Sequence, residues 1–267
     1  MSSQKILGNG LLVHGINRNE TDYLYKEIFE EESYVPPGGL QLPENAVVFD
    51  VGANIGMFAL FMSERFPDAR VFSFEPVPQT FEALCKNVAS LPHVTPLNMA
   101  LGDTAETREL TFYPQYTMMS GFDADPAVDK ALVKSYIENV ASTLDAVRAE
   151  VFVEEADELL EGRFEGQQKV PCTVERLDSV AERLGIDRID FLKIDVEGFE
   201  VKVLEGIGEE LWPKIARAAV EVEDDHGELV AVRSLFEKHG MRVSVEQPAE
   251  YRGTSVYNLF ADRGQDD

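Results

Sequence analysis

Several acids sit where short apolar runs end. Asp50 closes the run from Val47, Glu75 follows Arg70 to Phe74, Asp195 closes IDFLKID from Ile189, and Glu221 and Glu223 lie at the end of the run from Ala218. After Asp50 comes Gly52-Ala53-Asn54-Ile55-Gly56. Two glycines four apart let the backbone bend sharply and let a ligand reach main-chain atoms that a Cβ would shield. A helix starting after Gly56 would leave free N–H groups facing the turn. A nucleotide-type ligand is the natural occupant, and an ordinary tight turn is the alternative. Glu75 lies 19 residues after Gly56, near the about 20-residue offset of an acid that binds ribose hydroxyls.

Asp195 and Glu197 follow one strand and His226 follows the next, all at the carboxyl edge where open sheets bind ligands. Histidine as a residue type titrates near neutrality and suits a general base. The plainer roles are a loop histidine held by Asp224 or Asp225, and for Glu197 an acid at a helix amino terminus. Asp195 with Glu221 or Glu223 could instead hold Mg²⁺, a hard cation that would polarise a hydroxyl.

The elements that must position these groups alternate strand and helix. Leu11 to Val13 reads as a small strand, and a helix follows near 22–29, where Leu24/Ile28 and Tyr25/Phe29 repeat at i, i+4. Pro36-Pro37-Gly38-Gly39 ends this amino-terminal cap of residues 1–45. Strands are expected at 47–50, 70–74, 94–99, 109–113, 189–195 and 218–223, and helices at 57–65, 79–89, 177–184, from Glu197 onward, and at 228–239. The 79–89 helix places Phe81, Leu84, Cys85 and Val88 on one core face. Two last strands, near 241–246 and 255–261, form a hairpin that gives an antiparallel edge. Residues 114–169 break the rhythm with two acidic helical patterns, near 127–140 and 143–160. An insertion of this length is a lid or a solvated helical hairpin.

The chain has 267 residues, 44% of them hydrophobic, with 49 acids against 24 bases and a net charge of −25. That surface repels phosphate backbones and anionic membranes. Cys85 and Cys172 are not in metal-ligand spacing, and His14, His93 and His239 read as structural. No secretory signal and no apolar run near the roughly 20 residues of a membrane span are seen. The expectation is a cytoplasmic protein of one domain, 1–267.

The glycine spacing is GxxxG, not the GxGxxG of most dinucleotide folds, which with the terminal hairpin favours a methyltransferase over a dehydrogenase. DVGANIG, FEP, NMALGD and FLKIDVEGFEVKVLEG, in that order, resemble the FkbM family of S-adenosylmethionine-dependent O-methyltransferases. The resemblance runs from about Glu20 to about Phe260. It implies an α/β, Rossmann-like class I methyltransferase fold: a mostly parallel seven-stranded sheet with an antiparallel carboxy-terminal hairpin and a helical lid insertion.

The resemblance also implies roles. Asp50, Gly52, Ala53, Asn54 and Gly56 would hold the methionine part of the cofactor, and Tyr34 would cover it or pack in the core. Glu75, with Pro76, would take the ribose hydroxyls. Ala100 and Asp103 would meet the adenine, unless Asp103 is only a turn residue. From residue chemistry rather than the resemblance, His226 is expected to take the acceptor's proton, with Glu197 or Asp195 orienting the acceptor; the metal variant uses Asp195 and Glu221. The implied acceptor is a small or carrier-bound secondary metabolite of polyketide or nonribosomal-peptide type. The competing readings are an NAD(P)-dependent oxidoreductase and a non-catalytic cofactor-binding protein.

Overall fold

The chain begins with a two-stranded hairpin, β1 (Ser3–Ile6) and β2 (Leu12–Gly15). Asn17 then caps α1 (Arg18–Tyr25) by accepting from the Glu20 amide. A π-helical turn, Lys26–Glu30, continues α1 and carries Glu27 to the sheet. The structure is a computed structural model, and it describes residues 3–145, 148–149, 153, 160 and 162–264.

The apolar run before the glycine turn forms β3 (Val47–Val51), buried at every position. Val47, Phe49 and Val51 face one core and Val48 faces the other, the pattern of a strand covered on both sides. After α2 (Met57–Arg65) come β4 (Arg70–Phe74), α3 (Pro78–Val88) and β5 (Val94–Leu97). On α3 the buried residues are Thr80, Ala83, Leu84 and Val88. Cys85 is only partly buried, so the core face is rotated from the one expected.

A separate sheet follows, with order β6–β8–β7: β6 (Ala100–Leu101), β7 (Glu106–Phe112) and β8 (Gln168–Glu175). The sequence did not announce β8, because Pro171 lies in its middle. Pro171 is tolerated there because β6 pairs only with Val174 and Glu175, leaving β8 an edge at Pro171. Strand β8 also trims the expected 114–169 insertion at its end. Between β7 and β8 stands α4 (Pro126–Ser142). The second insertion helix, expected near 143–160, falls largely outside the described residues.

The chain then runs α5 (Leu177–Arg183), β9 (Phe191–Ile194), α6 (Glu200–Glu205), β10 (Arg217–Glu223), α7 (Glu228–Lys238), β11 (Arg242–Glu246) and β12 (Val256–Asp262). The main sheet has seven strands in the order β11–β12–β10–β9–β3–β4–β5. Strands β10, β9, β3, β4 and β5 are mutually parallel. Strand β12 inserts antiparallel between β10 and β11. The hairpin therefore exists, but its antiparallel member is the second strand rather than the edge. Among the described residues no helix is long and apolar enough to cross a membrane.

Candidate active site

After β3 the backbone turns through Gly52 (φ +80°), Asn54 (φ +47°) and Gly56 (φ +85°). A Cβ on Gly52 would run into the carbonyl of Asp195, and one on Gly56 into Leu84. Glycine at 52 thus permits the close approach of two strand ends; the atoms a Cβ would meet are protein atoms. The left-handed turn at Asn54 aims its amide at Glu75, whose Oε2 accepts at 2.9 Å.

Glu75 Oε1 accepts from the Val77 amide at 2.9 Å and the Thr80 hydroxyl at 2.7 Å. Burial pushes its pKa up to about 7, against the lowering effect of these donors. A carboxylate has about four acceptor positions, so one on Oε2 stays open after these three bonds.

Beneath the turn a polar row crosses the apolar sheet. Register places Ser73 of β4, Asp50 of β3 and Lys193 of β9 side by side. Ser73 donates to Asp50 at 3.1 Å, and Lys193 Nζ lies 3.5 Å from the other Asp50 oxygen. Lys193 also contacts Asp195 at 3.1 Å, and the Tyr34 hydroxyl donates to the same Asp195 oxygen at 2.9 Å. The Lys193 pKa is raised by these carboxylates despite burial, which acts the other way, so the lysine is charged.

Strand alternation puts Ala219, Glu221 and Glu223 on one face of β10, beside Lys193 and Asp195. Glu197 follows Asp195 at φ +54°, a backbone region costly for a non-glycine residue. Glu197 and Glu223 share a side-chain hydrogen bond, and burial followed by Glu223 raises the Glu197 pKa well above the usual range. Glu223 is pushed by burial to about 7, and the bond from Glu197 lowers it. The two carboxyls therefore do not both ionise near neutrality.

These groups surround a cavity of about 360 Å³. Tyr34, Gly52, Asn54, Glu75, Pro76 and Ala100 line it, as do Asp195, Glu197, Glu221 and Glu223. Ala53, Gly56, Asp50, Asp103 and His226 are not on its wall. Asp50 is fully buried behind the turn. Asp103 pairs with Lys202 at 3.1 Å, and the carbonyl of its own backbone accepts from Arg176 at 2.7 Å. His226 is exposed in the turn before α7, where its backbone amide donates to Glu228 at 2.7 Å. Among the described residues no three His, Cys, Asp or Glu side chains group as metal ligands. The Asp195–Glu221 pair finds no support as an Mg²⁺ site, and one Asp195 oxygen is already held by Lys193 and Tyr34.

Comparison with known proteins decides the family. Residues 50–243 match the methyltransferase FkbM domain. The chain belongs to the FkbM methyltransferase family. It is 37% identical to the 31-O-demethyl-FK506 methyltransferase FkbM of Streptomyces tacrolimicus, covering 96% of this chain and 95% of that protein. It is 32% identical to methyltransferase sdnD of Sordaria araneosa, covering 96% and 95%. It is also 37% identical to the AMB antimetabolite synthetase AmbE of Pseudomonas aeruginosa over 96% of this chain, which spans 12% of that protein's length. Among solved structures it is similar to M. jannaschii TYW2 in complex with AdoMet, with TM-score 0.46 and 13% identity, covering 98% of this chain and 84% of that one.

An FkbM-family methyltransferase uses S-adenosylmethionine, and the donor set fits that cofactor. Among the described residues seven carboxylates and one cation, Arg163, line the cavity, which suits a ligand bearing a sulfonium and an ammonium. Family membership leaves the NAD(P) oxidoreductase reading without support. Sequence reasoning passed over Lys193, Glu20, Glu27, Tyr23 and Tyr251. For Lys193 a signal was present: K-x-D at 193–195 and E-x-E at 221–223 place charges at alternate positions near the carboxyl ends of buried strands. Glu20 accepts from the amide and hydroxyl of Thr117 at 2.9 and 2.7 Å, a long-range contact no local pattern marks.

Proposed function

We propose that this chain is an O-methyltransferase that acts on a hydroxyl of a small or carrier-bound secondary metabolite. The observation that carries the reading is the hydrogen-bonded Glu197–Glu223 pair on the wall of the cavity that the glycine turn and Glu75 also line. The names of the relatives favour the chemistry and the substrate class: one is a 31-O-demethyl-FK506 methyltransferase and another an antimetabolite synthetase.

Glu75 would accept from the ribose through its open Oε2 position. Gly52 and Asn54, covered by Tyr34, would hold the methionine part. Pro76 and Ala100, with the apolar Val77 and Leu101 on the same wall, would flank the adenine. When bound, the cofactor supplies an electrophilic methyl carbon. Glu223 takes the proton of the acceptor hydroxyl, and its bond with Glu197 holds the carboxylate in place. Two carboxyls that share a hydrogen bond do not both ionise, so the pair holds one proton and is ready for one more. Such a positioned base contributes about 10²–10⁴-fold. Glu223 takes the role expected of His226, because His226 is exposed and off the cavity wall.

The test incubates the protein and S-adenosylmethionine with a panel of hydroxylated metabolites and reads methyl gain by mass spectrometry, locating it on oxygen by fragmentation. Glu223→Gln should lower kcat by about 10²-fold or more with S-adenosylhomocysteine affinity retained, and His226→Ala should leave kcat unchanged. The reverse pattern restores the histidine, and methyl gain on carbon or nitrogen removes the O-methyl assignment.

A further inference from the structure

Part of the cavity wall has no role in this transfer. Tyr23 of α1, Tyr136 of α4 and Tyr251 of the 249–251 turn meet there from three separate stretches of chain. The Tyr23 and Tyr251 hydroxyls lie 2.6 Å apart. The Tyr136 ring packs on both, with centroids 5.9 Å from Tyr23 and 5.3 Å from Tyr251. Beside these rings stand two carboxyls, Glu27 and Glu221.

Lys193 is the cation that acts on both carboxyls, and it is already held by Asp50, Asp195 and the Gly52 carbonyl. Glu27 is 7% exposed, and among the described residues the one hydrogen bond to its carboxyl is a long one of 3.3 Å from the Tyr23 hydroxyl. No donor reaches the Glu221 side chain among the described residues. The two groups repel each other: burial first, then neighbouring carboxylates, raise Glu27 to about 8 and Glu221 well above the usual range. Carboxyls raised in this way keep their protons until a cation joins them, and a ligand cation would draw them into the charged form. The cofactor brings two positive charges and one negative, a net of +1, to a wall that among the described residues carries seven carboxyl groups and one arginine. That arginine, Arg163, lies over the Tyr116 ring at 4.9 Å and acts on Glu20, away from this pair.

We infer that Glu27 and Glu221, walled by Tyr23, Tyr136 and Tyr251, bind a positively charged amino group of the acceptor. Carboxylates attract the ammonium, and tyrosine faces add cation–π attraction. The acceptor is then a hydroxyl compound that also carries an ammonium; this rests on the methyl-transfer reading above for the identity of the second ligand.

Calorimetry on the full chain saturated with S-adenosylhomocysteine tests the inference with three probes of one shape: tyramine, 2-(4-hydroxyphenyl)ethanol and 4-hydroxyphenylacetate. Tyramine should bind at least about tenfold tighter than the neutral alcohol, and the anion should not bind. Glu221→Gln and Glu27→Gln should each abolish that preference, with S-adenosylhomocysteine affinity retained; should one variant not fold, the other makes the same comparison. Equal binding of tyramine and the alcohol, no binding of any probe, or a preference that survives the substitutions overturns the inference. Loss of S-adenosylhomocysteine binding in the unaltered protein would instead sink the methyltransferase reading itself.

Discussion

Lys193 Nζ donates to the carbonyl of Gly52 at 2.8 Å. A charge buried in the sheet thus holds the glycine turn from below, while the same ammonium balances Asp50 and Asp195. Lys193→Met removes the cation and leaves a fully buried Asp50. Breaking a buried pair from one side costs about 3–5 kcal/mol, and urea unfolding should show a loss of that size. The double variant Lys193→Met/Asp50→Asn should regain part of it. A single variant as stable as the parent would mean that the row is not ionised.

The cofactor role proposed for Glu75 and its hold on the turn can be separated by substitution. Glu75→Gln keeps an acceptor oxygen but loses the charge. S-adenosylhomocysteine should bind about ten- to a hundredfold more weakly, the loss of one hydrogen bond to a charged group. Glu75→Ala also leaves the Asn54 and Val77 amides and the Thr80 hydroxyl without their acceptor, so its melting temperature should fall as well. Unchanged affinity in Glu75→Gln, by calorimetry, would take Glu75 out of the cofactor site.

Helix α4 closes over the cavity with Leu132, Val133, Tyr136 and Ile137. It is tied to the 249–251 turn by Asn139, which donates to the carbonyls of Glu250 and Arg252 at 2.9 Å each. We expect α4 to exchange amide hydrogens faster than β9 in the free protein and to be protected when ligands bind. Asn139→Ala, which removes bonds of about 1 kcal/mol each, should speed exchange in α4 alone. Equal protection of α4 and β9 in the free protein would make this helix part of the rigid fold.

The buried acids also set a pH dependence. Burial raises Glu75 and Glu223 to about 7 and Glu27 and Glu200 to about 8, above the ordinary 4.5. A carboxyl raised in the folded state holds its proton more tightly there than in the unfolded chain. The stability this contributes is complete below the unfolded value and is lost as pH rises through 7 to 8. Scanning calorimetry of the ligand-free protein should therefore show the melting temperature falling from about pH 5.5 to about pH 8.5. A flat or rising profile would contradict these shifts.

What the sequence determined by itself was local. The two-residue period of buried strands and the 3.6-residue period of helices gave the order of most elements, since both repeats are short-range. The glycine turn and the acid after β4 were legible because their spacing along the chain is the geometry that matters. Tertiary structure alone decided which groups meet. Tyr34 reaches Asp195 across 161 residues and Tyr23 reaches Tyr251 across 228, separations that no period records. The same limit bears on the choice of candidate base. His226 and Glu223 are three positions apart, but β10 carries Glu223 on the face that turns into the cavity, while His226 lies past the strand end in an exposed turn. Pairing register and strand order, not spacing, set that difference, because a sheet fixes which face each residue shows only once its neighbours are in place.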